Sequence, residues 1–252
     1  MSIIEQIFEY PFLTKIFNNL LNNNDKLNLI CNKHILSQRH KLKFNEMYYC
    51  TYSDKNKWYF NCLTNILISE IFEIPTSVTN LQFDSCFRWR YPGIVQYWIP
   101  KSITNLHLGW NLRIQMEIHC YNEEKERFYY ESCIPYGITH LHTGNFNQRI
   151  YNFETIIPNS VKFLTFGQFF DQEVDDLIIN NVTHLTFGRN FNQKINNLLK
   201  RSSSITNLKL GEKFDQKISS FPLNLKYLIV SRKFLEINND LIFNNIVIII
   251  IK

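Results

Sequence analysis

The 252-residue chain is poor in glycine and proline, with seven of each, and its longest purely apolar run is the short stretch from Ile246 to Ile251. Scarce glycine and proline exclude collagenous and linker-type compositions. An apolar run that short falls far below the ~20 residues that a spanning helix requires, so no membrane association is expected. Six cysteines, Cys31, Cys50, Cys62, Cys86, Cys120 and Cys133, are scattered without a CxxC pair, and none has zinc-site spacing. A chain of this size can bury a core without disulfide staples, so reduced thiols and a cytoplasmic or nuclear setting are expected. The opening Met1-Ser2-Ile3-Ile4-Glu5 lacks a charged region followed by an apolar one, so no secretory signal is expected.

Charge of either sign is modest, with 27 basic against 22 acidic residues, net +5. A nucleic-acid binder usually concentrates a basic stripe. The nearest candidate runs from Lys33-His34 through Arg39 and Lys41 to Lys43, and it reads as one solvated helix face. No phosphate loop, HExxH pair or GxSxG elbow occurs. No metal site, cofactor, nucleic acid or catalytic residue is therefore expected, and the chain reads as a non-enzyme.

What the chain does have is internal repetition, which takes precedence over local propensity in assigning the fold. Val161, Leu164, Phe166, Gly167, Phe170, Asp171, Gln172 and Val174 recur as Val182, Leu185, Phe187, Gly188, Phe191, Asn192, Gln193 and Ile195. They recur again as Ile205, Leu208, Leu210, Gly211, Phe214, Asp215, Gln216 and Ile218. Weaker copies begin at Val78, Ile103, Ile138 and Leu225. One interval is enlarged by the Glu123-Glu124-Lys125-Glu126-Arg127 stretch, which reads as a surface insertion between Leu112 and Ile134. The period lies in the range of leucine-rich repeats. Stacked units of this kind place short strands side by side in parallel, with alternate residues turned into the core.

Punctuation follows the same ruler. Five glycines, Gly109, Gly144, Gly167, Gly188 and Gly211, occupy the slot after the strand, where a positive φ is expected to turn the chain. Five prolines, Pro75, Pro100, Pro135, Pro158 and Pro222, open a repeat. The Phe-Asn/Asp-Gln triplet places Gln148, Gln172, Gln193 and Gln216 in one column. Its identity on successive rungs favours a structural amide ladder over a ligand site. The tail overlays Ile246 and Ile249 on Leu225 and Leu228 as a truncated closing repeat, which puts Ile248 and Ile250 on an outer face. An exposed apolar strand there would invite self-association through the solenoid ends.

These residues resemble the FNIP repeat, a relative of the leucine-rich repeat with a Phe-Asn-x-x-Ile/Pro signature. The matches are Phe146-Asn147-Gln148-Arg149-Ile150 and Phe191-Asn192-Gln193-Lys194-Ile195, within a stretch from Ile74 to Phe234. The resemblance implies an interaction module rather than an enzyme. The order Pro11, Ile16-Phe17, Leu20, Asp25, Leu27, Ile30-Cys31 and His34 resembles a degenerate F-box, without the usual acidic residue after the proline or a tryptophan near His34. That resemblance implies docking to a Skp-type adaptor through Pro11, Ile16, Phe17, Leu20, Leu27 and Cys31. From the residues alone, the same apolar positions at helical spacing could instead cap the open end of the solenoid.

The fold class expected is α+β: a short N-terminal helical module followed by a leucine-rich-repeat-like parallel β-solenoid. Its parts are an F-box-like module over 1–45, a linker or cap over 46–73, repeats over 74–235 and a terminal cap over 236–252. Outward strand positions vary while inward ones repeat. The pairs are Asn80/Gln82, Asn105/His107, His140/His142, Phe163/Thr165, His184/Thr186, Asn207/Lys209 and Tyr227 followed by Ile229. Such a face is either a solvated sheet or a surface for a protein partner. The function expected is a protein–protein interaction scaffold that recruits a substrate to a Skp/cullin-type ubiquitin ligase. The alternative is a repeat protein without that link.

Overall fold

The computed structural model describes residues 48–50, 65–68, 73–83, 99–109, 117–122, 127–132, 134–144, 146–147, 157–175, 179–241 and 245–251. The F-box-like module, its adaptor-docking residues Pro11, Ile16, Phe17, Leu20, Leu27 and Cys31, and the basic run at Lys33–Lys43 lie outside the described residues. The described chain is a parallel β-solenoid. Ten strands form one sheet: β1 Tyr48–Cys50, β2 Asn65–Ile68, β3 Asn80–Phe83, β4 Asn105–His107, β7 His140–His142, β8 Phe163–Thr165, β9 His184–Thr186, β10 Asn207–Lys209, β11 Tyr227–Ser231 and β12 Val247–Ile251. The enlarged interval holds an antiparallel hairpin of β5 Glu117–Asn122 and β6 Arg127–Ser132. Two short helices, α1 Asn196–Arg201 and α2 Arg232–Ile237, follow Ile195 and Ser231. Among the described residues no helix is long and apolar enough to cross a membrane.

Each rung is built the same way. A turn opens it, with the carbonyl of Pro75, Pro100, Pro158 or Pro222 accepting from the N–H three residues on at 2.9–3.1 Å. The acceptor role needs no N–H from proline, which explains its place there. The residue ending that turn, Val161 or Val182, is buried and starts the inward row. Register then stacks Leu106 on Leu141, Leu164, Leu185, Leu208 and Leu228. Behind the strands runs a spine of rings: Phe146, Phe170, Phe191, Phe214 and Phe234, with centroids 5.9–6.4 Å apart. Phe166 and Phe187 stack beside it at 5.3 Å. All of these rings but Phe146 are among the largest fully buried side chains described, so the spine carries much of the apolar burial that holds the stack closed.

The triplet reads as the structural ladder. Asn147 Oδ1 accepts from the Asp171 N–H and from Gln172 Nε2, both at 2.9 Å. Asp171 Oδ1 accepts from the Asn192 N–H at 2.9 Å and Gln193 Nε2 at 3.0 Å. Asn192 Oδ1 accepts from the Asp215 N–H at 3.0 Å and Gln216 Nε2 at 3.2 Å. Every oxygen thus satisfies a backbone donor one rung away, which strand pairing cannot reach. Gln148 itself lies outside the described residues.

Two sequence expectations are corrected. Among the glycines of the strand-end slot, only Gly109 and Gly144 have positive φ, at 60° and 61°. At Gly144 the reason is local: Phe146 follows Leu141 one residue sooner than Phe170 follows Leu164, and the tighter turn uses the left-handed region. At Gly188 and Gly211 the cause is close approach, since a Cβ would lie 2.1 Å from the Gly167 carbonyl oxygen and 1.9 Å from that of Gly188. The closing strand is also one residue out of the expected register. Ile248, not Ile249, pairs with Leu228, and Ile250 with Val230. Ile248 and Ile250 therefore fall in the rows of Leu228 and Val230, although Ile250 stays 48% exposed, and Val247 and Ile249 face outward, because a one-residue slip exchanges the faces of a strand. Asn245, with a φ of 60°, stands three residues before Ile248, in the slot that Leu225 fills before Leu228.

Candidate functional site

The thirteen outward residues named from the sequence fall on one face of the sheet in two columns. The first holds Asn80, Asn105, His140, Phe163, His184, Asn207 and Tyr227; the second holds Gln82, His107, His142, Thr165, Thr186 and Lys209. None is buried. The columns continue onto Ile229 and the outward residues of β12, Val247 and Ile249, which the misplaced register had assigned to the other face.

Every side chain of the first column is planar, and the central ones stack. His140 lies on Phe163 with centroids 4.1 Å apart and planes 4° from parallel, and Phe163 lies on His184 at 4.3 Å. A row of threonines just before the strands anchors the column, a signal present in the sequence but not read from it. Thr139 Oγ1 donates to the Thr104 carbonyl at 3.2 Å and sits 2.9 Å from His140 Nδ1. Thr183 Oγ1 does the same with the Lys162 carbonyl and His184 Nδ1. A hydroxyl both donates and accepts, so each threonine holds its imidazole through Nδ1 in either tautomer. Asn80 donates to Thr79 Oγ1 at 3.1 Å and to Asn65 Oδ1.

The second column is more enclosed. His107 and His142 meet edge-on at 4.1 Å, and His142 Nδ1 accepts from the Gly144 N–H at 2.9 Å. Burial, and after it the neighbouring His107, together lower the pKa of His142 to about 4 against a partly opposing backbone hydrogen bond. Burial likewise lowers that of His107, and burial with His140 nearby lowers that of His184. These rings are neutral at pH 7. Asn80, Gln82, Asn105, His107, His140, His142, Phe163 and Thr165 line a shallow concavity of about 210 Å³ over β3–β8. No group of three or more His, Cys, Asp or Glu suited to a metal occurs among the described residues. Of the thirteen side chains, Lys209 is the only lysine, arginine, aspartate or glutamate.

Comparison with known proteins agrees with the repeat and the fold. The FNIP Repeat family pattern matches residues 131–169. A solved structure, titled as that of CroV588, a novel circular LRR protein, superposes with a TM-score of 0.52 at 33% sequence identity, over 69% of this chain. The matched part is 24% of that protein, so the chain spans about a quarter of its length. No curated protein matches the chain. Over residues 131–169 the recurring unit is therefore an FNIP repeat, and the solenoid that it helps to build is of the leucine-rich-repeat kind.

Proposed function

We propose that the chain is a protein–protein interaction scaffold whose outward sheet face takes the partner, and that it is not an enzyme. The observation that carries this reading is the contrast between the two sides of each strand. Inward rows repeat from rung to rung, whereas the outward columns change identity and form a concavity of neutral amides, imidazoles and one phenyl ring. Aromatic and amide groups with almost no charge suit a protein surface, not a phosphate backbone or an anionic membrane. Proximity labelling by the full chain tests it, with Phe163→Asp plus Tyr227→Asp as the comparison. Partners should drop out while the fold is retained, because neither side chain is in the buried core. An unaltered partner set would reject the face.

The finer reading is a substrate-recruiting adaptor, in the cytoplasm or nucleus, that holds a Skp-type ubiquitin-ligase component through residues 1–45. It rests on the order of Pro11, Ile16, Phe17, Leu20, Leu27 and Cys31 in the sequence. A pull-down of the full chain with such an adaptor should succeed, and Ile16→Asp plus Leu20→Asp should abolish it. Failure of the wild type would remove the ubiquitin-ligase link and leave the scaffold reading standing.

One observation favours self-association as a second reading. Tyr227, Val247 and Ile249 form an apolar outward patch, 45%, 54% and 47% exposed. Light scattering at high concentration should then show assembly that Val247→Lys plus Ile249→Lys removes; a purely monomeric wild type would reject it.

A further inference from the structure

The junction between β4 and β7 gathers four contacts that the other rungs do not combine. The Leu108 N–H donates to the His142 carbonyl at 2.9 Å. The Gly144 N–H donates to His142 Nδ1 at 2.9 Å. The rings of His107 and His142 meet at 4.1 Å. Gly144, at φ +61°, is pressed so close to Gly109 that a Cβ would fall 1.6 Å from its carbonyl oxygen. This is also the junction from which the longest excursion leaves, since Thr139 lies 35 residues after its rung partner Thr104.

Because Nδ1 of His142 accepts a backbone N–H, its proton sits on Nε2. At His140 and His184 Nδ1 instead faces a threonine hydroxyl, which can donate or accept and so tolerates either form of the ring. Protonating His142 places a second hydrogen on Nδ1, directly against the Gly144 N–H, so the hydrogen bond becomes a donor–donor clash. The turn cannot yield by sliding toward β4, because Gly109 fills that space.

We propose that the His107–His142 pair and the Gly144 turn form an acid-operated latch, which opens the β4–β7 junction when His142 takes up a proton while the rungs after it remain closed. The titratable groups on the same face as His142 among the described residues are His107 from β4 and His140 on its own strand, neither of which offers a negative charge. From β8 comes Thr165, which offers no countercharge. No carboxylate faces the pair there to hold an imidazolium. The latch goes beyond the binding role of the face, and it stands whether or not a partner is found.

The sign follows from linkage. His142 binds its proton less readily in the latched state, at a pKa of about 4, than when released to its ordinary value of about 6.5. Opening is therefore favoured progressively as pH falls from 6.5 toward 4, and it is not favoured above that window. Amide hydrogen exchange on the full chain at pH 7 and 4.5, corrected for intrinsic rates, reads this out. Protection at Leu108 and Gly144 should fall about tenfold more than at Phe187 and Leu210, which lie on later rungs. Equal loss at all four amides, or none at the first two, would overturn the proposal. His142→Asn supplies an acceptor that cannot titrate and should hold its protection at pH 4.5. Should that variant fold poorly, imidazole nitrogen shifts of the wild type at pH 7 decide: a protonated Nδ1 on His142 would overturn the latch, and a bare Nδ1 with protonated Nε2 supports it.

Discussion

A hydrogen atom is all that Gly188 can place against the Gly167 carbonyl, and the same is true of Gly211 against Gly188. Both contacts are to backbone, so neither can be relieved by a side chain swinging away. Gly188→Ala should therefore cost about 3 kcal/mol, at the upper end of overpacking penalties, measured as a shift in urea midpoint. A loss no larger than that of an ordinary exposed Gly→Ala change would mean that adjacent rungs have room to separate. At this scale the sequence was half legible. The glycine column was visible as a recurrence, but its reason was read as turn conformation, which holds only at Gly109 and Gly144. Close approach between rungs involves residues 21 or 23 positions apart, as the neighbouring threonine-row bonds are, and no local rule reports it.

Along the ladder element the alternation of residues matters as much as their shape. The order Asn147, Asp171, Asn192, Asp215 never stacks two carboxylates, and Asn192 Nδ2 donates to Asp215 Oδ1 at 2.8 Å. Lys233 Nζ then meets Asp215 Oδ2 at 2.6 Å, and that ammonium, with the Asn192 amide, holds the Asp215 carboxyl below its usual range. Asn192→Asp keeps the two acceptor bonds but removes the donor and sets three carboxylates in a row. The variant should lose about 1–3 kcal/mol at pH 7. Part of that loss should return as pH falls toward about 4, because repulsion raises carboxyl pKa values in the folded chain and protonation relieves it. Thermal melts of variant and wild type across that range test it; a deficit independent of pH would show that lost geometry, not charge, dominates. The triplet's structural role was readable from its identity on successive rungs. The alternation has its meaning only once the oxygens are seen to reach across rungs.

The whole molecule behaves as a row of neighbours, since each rung touches only the one before and the one after. Phe191, fully buried between Phe170 and Phe214, is the middle of the ring spine. Phe191→Ala should remove about 3–5 kcal/mol. In a stack, that loss should concentrate in hydrogen-exchange protection of the rungs carrying Leu185 and Leu208 and fade toward Leu81. Uniform loss along the chain would instead describe a single cooperative body. The face that such a row presents was legible as two columns, because alternation in a strand follows from the pleat. The concavity and the edge-on contact of His107 with His142 were not legible, since neighbouring column positions do not fix how two rings meet.

The sequence by itself determined the rung: which residues turn inward, where the strand lies and which residues open the turn. Period and burial are local consequences of backbone geometry, and they recur with every copy. Only the tertiary structure decided how one rung sits on the next, and with it the register of β12, the need for Gly188 and the hydrogen-bond partners of His140, His142 and His184. The stacking depends on distances between residues twenty or more apart in the chain, where a one-residue shift of pairing is enough to exchange the faces of a strand.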